Sequence, residues 1–255
     1  TGGRKNDPPG ASDEIEEGIR TIRVVHSRLP FIGPIQRLWI YRTWLRKLRR
    51  EGFVPDIIHA HVFTVARAAW AIARYLDVPW FLTEHSSAFH RGLASRRQIR
   101  KASRYLQRAH RVLPVCHFLK EAMEVRGIKT QFSVVPNAVD TKIFFPVSAR
   151  TTGGFRFLIV ALQTEVKGIP DLIKASAMLS MRTTVEWSLD LVGDGPERGR
   201  YEALAAQLGI SGRLRFLGLR TKSEVASLMR QSHAFVLSSH AENHPVVLLE
   251  ALASG

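Results

Sequence analysis

The chain of 255 residues contains a single cysteine, Cys116. No internal disulfide can form, which fits a reducing compartment and leads us to expect a cytoplasmic protein. Long hydrophobic runs are also missing. None approaches the roughly 18 to 20 residues that an apolar helix needs to cross a bilayer, so no helical membrane span is expected. Acidic residues are scarce beside basic ones, 22 against 37, and the formal net charge is +15. Such an imbalance favours an anionic partner: a nucleic acid, a nucleotide sugar or an acidic lipid surface. A signal-peptide pattern, an internal repeat and a low-complexity tract are likewise absent. The 45% of hydrophobic residues excludes a largely disordered chain and suffices for one large domain or two modest ones.

Short apolar runs alternate along the chain with helical patterns. Strands are expected at 19–26, 56–60, 80–83, 111–115 and 132–135, and again at 155–161, 188–192, 214–217 and 234–237. Helices are expected between the later strands at 169–179, 197–208 and 222–231. Alternation of this kind is the signature of parallel α/β layering. We expect two domains, 1–148 and 149–255, joined within 137–154, where Pro136, Pro146, Gly153 and Gly154 interrupt any periodicity. Residues 1–12 are polar and rich in Gly and Pro, and read as a loose leader. Two stretches concentrate the positive charge. Arg37 to Arg50 places Leu38, Tyr41, Trp44, Leu45 and Leu48 on one helical stripe with its cations largely elsewhere, the pattern of a basic amphipathic helix. Such a helix packs on a sheet as a rule, and an anionic surface is the alternative. Arg91 to Arg111 carries eight Lys or Arg and no acid; it reads as a solvated face, or as a receiver of a phosphorylated or lipid-linked acceptor.

The residues with chemistry cluster toward the C-terminal end. In SSHAENHPVVLLEALASG, Ser238 to Gly255, the carboxylates of Glu242 and Glu250 are separated by seven residues. Pro245 suits a first helical turn, so a helix opens there, with Glu242 in the loop before it and Glu250 on its second turn. The free N–H groups of such a helix attract anions, while flanking carboxylates suit the hydroxyls of a sugar or ribose. A nucleotide-sugar pocket is the expectation. Lys167, in a strand-to-helix loop beside Gly168, is a candidate cation for a diphosphate. Gly193-Asp194-Gly195 follows a strand and marks a turn lining the nucleotide pocket. His85 ends the strand 80–83, where open α/β sheets place their ligands. His59 and His61 alternate on a strand without a third ligand at usable spacing, so no metal is expected.

Five segments in order, from DIIHAH (Asp56 to His61) through VVPNAVDTKIFFP (Val134 to Pro146), VALQTEVKGIPDLIKA (Val160 to Ala175) and LVGDGPERGRYEALAAQLGISGRLRFLGL (Leu191 to Leu219) to the carboxylate pair, resemble the retaining glycosyltransferases of family four. The resemblance covers about Gly18 to Gly255. It implies the GT-B architecture, two Rossmann-like parallel-sheet domains facing a cleft, both incomplete, so that the chain reads as an internal stretch of a longer enzyme. It implies transfer of a sugar from a nucleoside-diphosphate sugar to a hydroxyl acceptor, without cofactor or metal, in glycan, glycolipid or cell-envelope polysaccharide synthesis. By resemblance, Glu242 contacts the transferred sugar, Glu250 the ribose hydroxyls, Lys167 and Gly168 the diphosphate, and His85 faces the reacting sugar from the N-terminal domain. That domain receives the acceptor, lipid-linked acceptors among the candidates, which would bring its basic face to an anionic membrane as a peripheral protein. Two departures stand out. Ala161 and Leu162 occupy the usual Gly and Arg positions, and Asn243-His244-Pro245 replaces a glycine-rich stretch, with one backbone donor fewer. Two other readings stay open: a donor-binding relative without turnover, and a basic nucleic-acid binder. The second lacks a recognition motif and aromatics interleaved with its cations, so no nucleic-acid partner is expected.

Overall fold

A computed structural model describes residues 10–16, 18–25, 32–147 and 153–255. Residues 1–9 of the expected leader, His26 at the end of the first expected strand, and 148–152 of the expected linker lie outside the described residues. The described chain falls into two compact units, one within Thr1–Ile57 and Arg74–Val78, the other spanning Ile58–Ala73 and Pro79–Gly255.

In the first unit, β1 (Gly10–Glu16) and β2 (Ile19–Val25) form an antiparallel pair with Asp13 opposite Ile22. The strand expected at 19–26 is therefore not a member of a parallel sheet, and residues 10–12 belong to a strand, not a leader. Charge explains the difference. Arg20 grips Asp13 with two bonds of 2.9 and 2.6 Å and reaches Glu51 at 2.7 Å, while Arg23 pairs with Glu16. Opposite charges across a strand pair stabilise it where apolar alternation is weak, and GASDEIE has little of that alternation. In α1 (Ile32–Arg50), Tyr41, Trp44, Leu45 and Leu48 are half-buried, and Arg42, Arg46, Lys47, Arg49 and Arg50 are exposed. The expected amphipathic stripe is present from Tyr41 onward; the side chain of Leu38 lies outside the described residues.

The second unit contains two parallel sheets. The first orders β3 (Ile58–His61), β4 (Trp80–Glu84) and β5 (Arg111–Pro114) side by side. Its helices are α2 (Ala66–Leu76), which from Arg74 onward counts with the first unit, α3 (Arg96–Leu106) and α4 (His117–Val125). In α3 the face of Ile99, Ala102 and Leu106 is buried, while Arg96, Arg97, Arg100, Lys101 and Arg104 are exposed. The strand expected at 132–135 does not form. Phe132 makes one isolated bridge to Val112, and Ser133 and Val135 donate to Val112 and Pro114, but the next N–H in that register, that of Asn137, donates to His244 Nδ1 instead of continuing the ladder.

The other sheet has the order β8-β7-β6-β9, all parallel: β6 (Phe155–Val160), β7 (Trp187–Val192), β8 (Leu214–Gly218) and β9 (Ala234–Phe235). Helices α5 (Ile169–Arg182), α6 (Arg198–Gln207), α7 (Lys222–Gln231) and α8 (Val246–Ala253) complete it. Successive residues of β6 feed opposite faces, as the period of two requires. Ile159 joins Ile173, Leu189, Leu191 and Tyr201 in one core, and Leu158 joins Phe144, Val192, Val225 and Met229 in the other. With both faces covered, the loops at the strand C-termini become the place for a ligand.

Candidate active site

The loops after β6, β7 and β8 are stitched to one another by the backbone. Gly193 N–H donates to Gly218 O at 2.8 Å, Gln163 N–H donates to Asp194 O at 2.9 Å, and the Gln163 amide donates to Gly193 O at 3.0 Å. Gly193 has φ +120°, and a Cβ there would run into the carbonyl oxygen of Ala161. This close approach demands glycine at the position expected to line the nucleotide pocket.

Beyond Gln163 a short 3-10 turn, Glu165–Lys167, ends at Gly168 with φ +61°. A Cβ at Gly168 would collide with the Ser238 carbonyl oxygen. Ser238 Oγ donates to Lys167 O at 2.8 Å and His240 N–H to Val166 O at 3.0 Å. Packing this tight draws the 238–245 loop over the head of α5. Lys167 Nζ consequently meets Glu242 Oε1 at 2.6 Å, with the two side chains 26% and 24% exposed. A cation and a carboxylate thus share the N-terminal end of a helix, where the dipole adds to the positive side. Glu250 lies half-buried on the second turn of α8. Burial pushes its carboxyl up, against the opposing charge of Lys222.

The first sheet contributes from the other side of this loop. Asn243 Nδ2 donates to His85 O at 2.8 Å, Asn137 Nδ2 donates to His244 O at 2.7 Å, and Asn137 N–H donates to His244 Nδ1 at 3.2 Å. Of the residues expected from sequence, Lys167, Gly168, Glu242, Asn243, His244 and His85 are therefore connected by direct contacts or through adjoining backbone. Glu250 and Gly193 stand outside that chain of contacts. His85 Nε2 lies 3.0 Å from His61 Nδ1, with the rings stacked at 13°, and His59 Nε2 bonds to Thr83 Oγ1 at 2.7 Å. Burial pushes the His85 imidazole down, and neighbouring His61 adds to this. Among the described residues no three His, Cys, Asp or Glu side chains group as metal ligands.

Sequence reasoning passed over Asn137 and Glu84. Asn137 sits in the PNAVD turn, with no signal that its amide would reach a loop 107 residues away. Glu84 is an acid at the end of an apolar strand, which was the available signal. It is 0% exposed, and burial pushes its carboxyl up to about 7 despite the backbone N–H groups of Ser86, Phe63 and His85 that favour its charged form.

Residues 6–143 match the family described as Glycosyltransferase Family 4, and residues 140–255 match Glycosyl transferases group 1. The chain belongs to these glycosyltransferases. Glycogen synthase of Mycobacterium tuberculosis (strain ATCC 25618 / H37Rv) is 30% identical to this glycosyltransferase over 96% of the chain and 64% of its own length. The chain thus spans just under two thirds of that relative. Sucrose-phosphate synthase from Thermosynechococcus elongatus has a TM-score of 0.76 at 22% identity, covering 98% of this chain and 67% of its own. Anabaena Alr3699/HepE, solved in complex with UDP and glucose, has a TM-score of 0.71 at 19% identity, covering 90% and 64%. The fold of this glycosyltransferase is that of its GT-B neighbours, mixed α/β with parallel sheets.

Proposed function

We propose that the full-length protein is a retaining, metal-independent glycosyltransferase that moves a sugar from a nucleoside-diphosphate sugar to a hydroxyl acceptor. The observation that carries this reading is the Lys167–Glu242 pair at the head of α5, joined through Asn243 to the backbone of His85. In the proposed roles, Lys167 and the N-terminus of α5 neutralise charge on the departing diphosphate, with Gly168 allowing close approach. Glu242 and His85 flank the transferred sugar, Asn243 and His244 shape its pocket, Gly193 lines the nucleotide pocket, and Glu250 accepts hydrogen bonds from the ribose. The bond from the anomeric carbon to the phosphate oxygen breaks as the bond to the acceptor oxygen forms on the same face. The acceptor proton passes to the leaving phosphate. The two parallel sheets support a division into an acceptor side, 1–148, and a donor side, 149–255. A UDP complex of HepE, and the sugar chemistry in the names of glycogen synthase and sucrose-phosphate synthase, are in keeping with a nucleotide-sugar donor. We place the protein in the cytoplasm, peripheral on the membrane, with glycan or cell-envelope synthesis as its setting.

The test is a panel of nucleoside-diphosphate sugars presented to the full-length protein. A donor is expected to raise the melting temperature, since binding to the folded state adds RT ln(1 + [L]/Kd). Nucleoside-diphosphate release with an acceptor mixture, persistence in chelator and retention of anomeric configuration in the product are the further expectations. Stabilisation without any release would favour the donor-binding relative without turnover, for which the exposed Leu162 at the usual arginine position is the specific observation. Stabilisation by none of the donors would sink the reading.

A further inference from the structure

We infer that Glu84 is a positioning residue that clamps the ends of β3 and β4 so that His61 and His85 meet at the mouth of the site; the inference rests on the reading of His85 above. The carboxylate is completely buried, and its two oxygens serve different loops. Oε2 accepts from Phe63 N–H and Oε1 from Ser86 N–H, each at 2.7 Å. Phe63 is two residues past His61, and Ser86 directly follows His85. Where parallel strands end, their chains diverge toward separate helices, and a single further backbone bond, Val62 N–H to Thr83 O at 2.9 Å, ties these two loops. A bidentate acceptor between them replaces the missing ladder.

Backbone strain marks the same place. Val62, between His61 and the clamped Phe63, has φ +63° and ψ +141°. Positive φ is a rare and costly conformation for a β-branched residue, and it persists only where the surroundings over-determine it. The bonds on both sides of Val62, to Thr83 O and to Glu84 Oε2, hold it there. Releasing the carboxylate would let the turn relax and carry His61 away from its 3.0 Å contact with His85 Nε2.

The clamp requires two acceptor oxygens, so it requires the carboxylate. Protonation puts a hydrogen on one oxygen and opposes one of the two N–H groups. On the strands beside Glu84, β3 carries His59 and His61 and β5 carries Arg111. His85 follows on its own strand end, Pro114 is its β5 partner, Arg111 pairs with Phe81 at the other end of that strand pair, and Cys116 caps α4. Burial is the largest influence on the Glu84 carboxyl and pushes it up to about 7. Loosening is therefore expected as pH falls through neutrality.

Glu84→Gln in the full-length enzyme, with kcat and nucleoside-diphosphate affinity followed against pH, tests this. We expect kcat at about pH 8 to fall about tenfold or more with nucleotide Kd within about twofold, and the acid limb that the parent shows near neutrality to be missing from the variant. Glu84→Asp, which keeps the charge on a shorter arm, should recover part of kcat. A kcat within about twofold of the parent, an unchanged acid limb, or equal losses of turnover and nucleotide affinity would each overturn the clamp. Should the variants not fold, the amide resonances of Phe63 and Ser86 in the parent decide: a shared midpoint near 7 supports the clamp, and no titration between about pH 5 and 9 overturns it. His85→Ala separates the two readings. Intact turnover there sinks the role of His85, whereas lost turnover beside an unaffected Glu84→Gln sinks the clamp alone.

Discussion

At the scale of single residues, the Lys167–Glu242 contact decides what each substitution should do. Glu242→Gln keeps the shape of the side chain but removes the charge proposed to stabilise positive charge developing at the anomeric carbon. It also frees Lys167 from its 2.6 Å partner, so the phosphates would face a fuller cation. Turnover should drop about tenfold or more while nucleoside-diphosphate affinity holds or rises; a matching loss of affinity by calorimetry would contradict the assignment. Lys167→Ala should weaken binding of a nucleoside diphosphate far more than of the uncharged nucleoside, because a point charge acts on phosphate, and equal losses would point to a folding defect instead. Glu250 gives a pH dependence. Its carboxyl is pushed up by burial, so the charged form proposed to accept from ribose hydroxyls is lost on acidification sooner than for an ordinary carboxylate. Donor affinity should weaken as pH falls, and Glu250→Gln should be weak throughout and flatten that decline. These residue types were legible in the sequence because Lys-Gly and the two glutamates lie in compact motifs. Their contacts were not. Lys167 and Glu242 are 75 positions apart, and Glu84 looks like any strand-end acid until its two N–H partners from separate loops are seen.

At the scale of elements, local signals were read well where they were self-contained. Thr221 and Glu224 form a capping box, and α7 starts and stops where its pattern says, Lys222 to Gln231. Signals that depend on distant partners failed: β1 exists because arginines on β2 face its acids, and 132–135 stops at a single bridge at Phe132 while the next ladder donor, Asn137 N–H, is taken by His244. Two substitutions test the elements that shape the site. Arg215 on β8 holds the fully buried Asp190 of β7 through two bonds of 2.5 and 2.6 Å. Arg215→Ala would strand that carboxylate, at a cost of about 3 kcal/mol or more in denaturant unfolding, and a change under about 0.5 kcal/mol would mean that water reaches Asp190. Gly168→Ala adds a methyl against the Ser238 carbonyl in a left-handed backbone conformation. Moving the 238–245 loop is the available relief, so turnover should suffer along with a melting temperature lowered by several degrees.

At the scale of the whole molecule, the charge of +15 has to face something. In the first unit the exposed side of α1 presents Arg42, Arg46, Lys47, Arg49 and Arg50, and the segment after it exposes Phe53, Val54 and Ile57. Thr43, Arg46, Lys47, Arg50 and Glu51 line a cavity of about 440 Å³ there. Cations beside exposed apolar groups suit the headgroup region of an anionic bilayer, each nearby cation contributing about 1 kcal/mol. Among the described residues no helix is long and apolar enough to cross a membrane, so any attachment through these helices is to a surface. The full-length protein should sediment with vesicles containing phosphatidylserine at low salt and be released as ionic strength rises and the screening length shrinks to about 10 Å at 0.1 M. Charge reversal at Arg46 and Arg50 should reduce that binding without altering nucleotide affinity, because neither residue belongs to the Lys167–Glu242 site. Equal sedimentation with neutral and anionic vesicles, or none with either, would remove the membrane from the proposal and leave the donor site standing, since the two rest on separate residues.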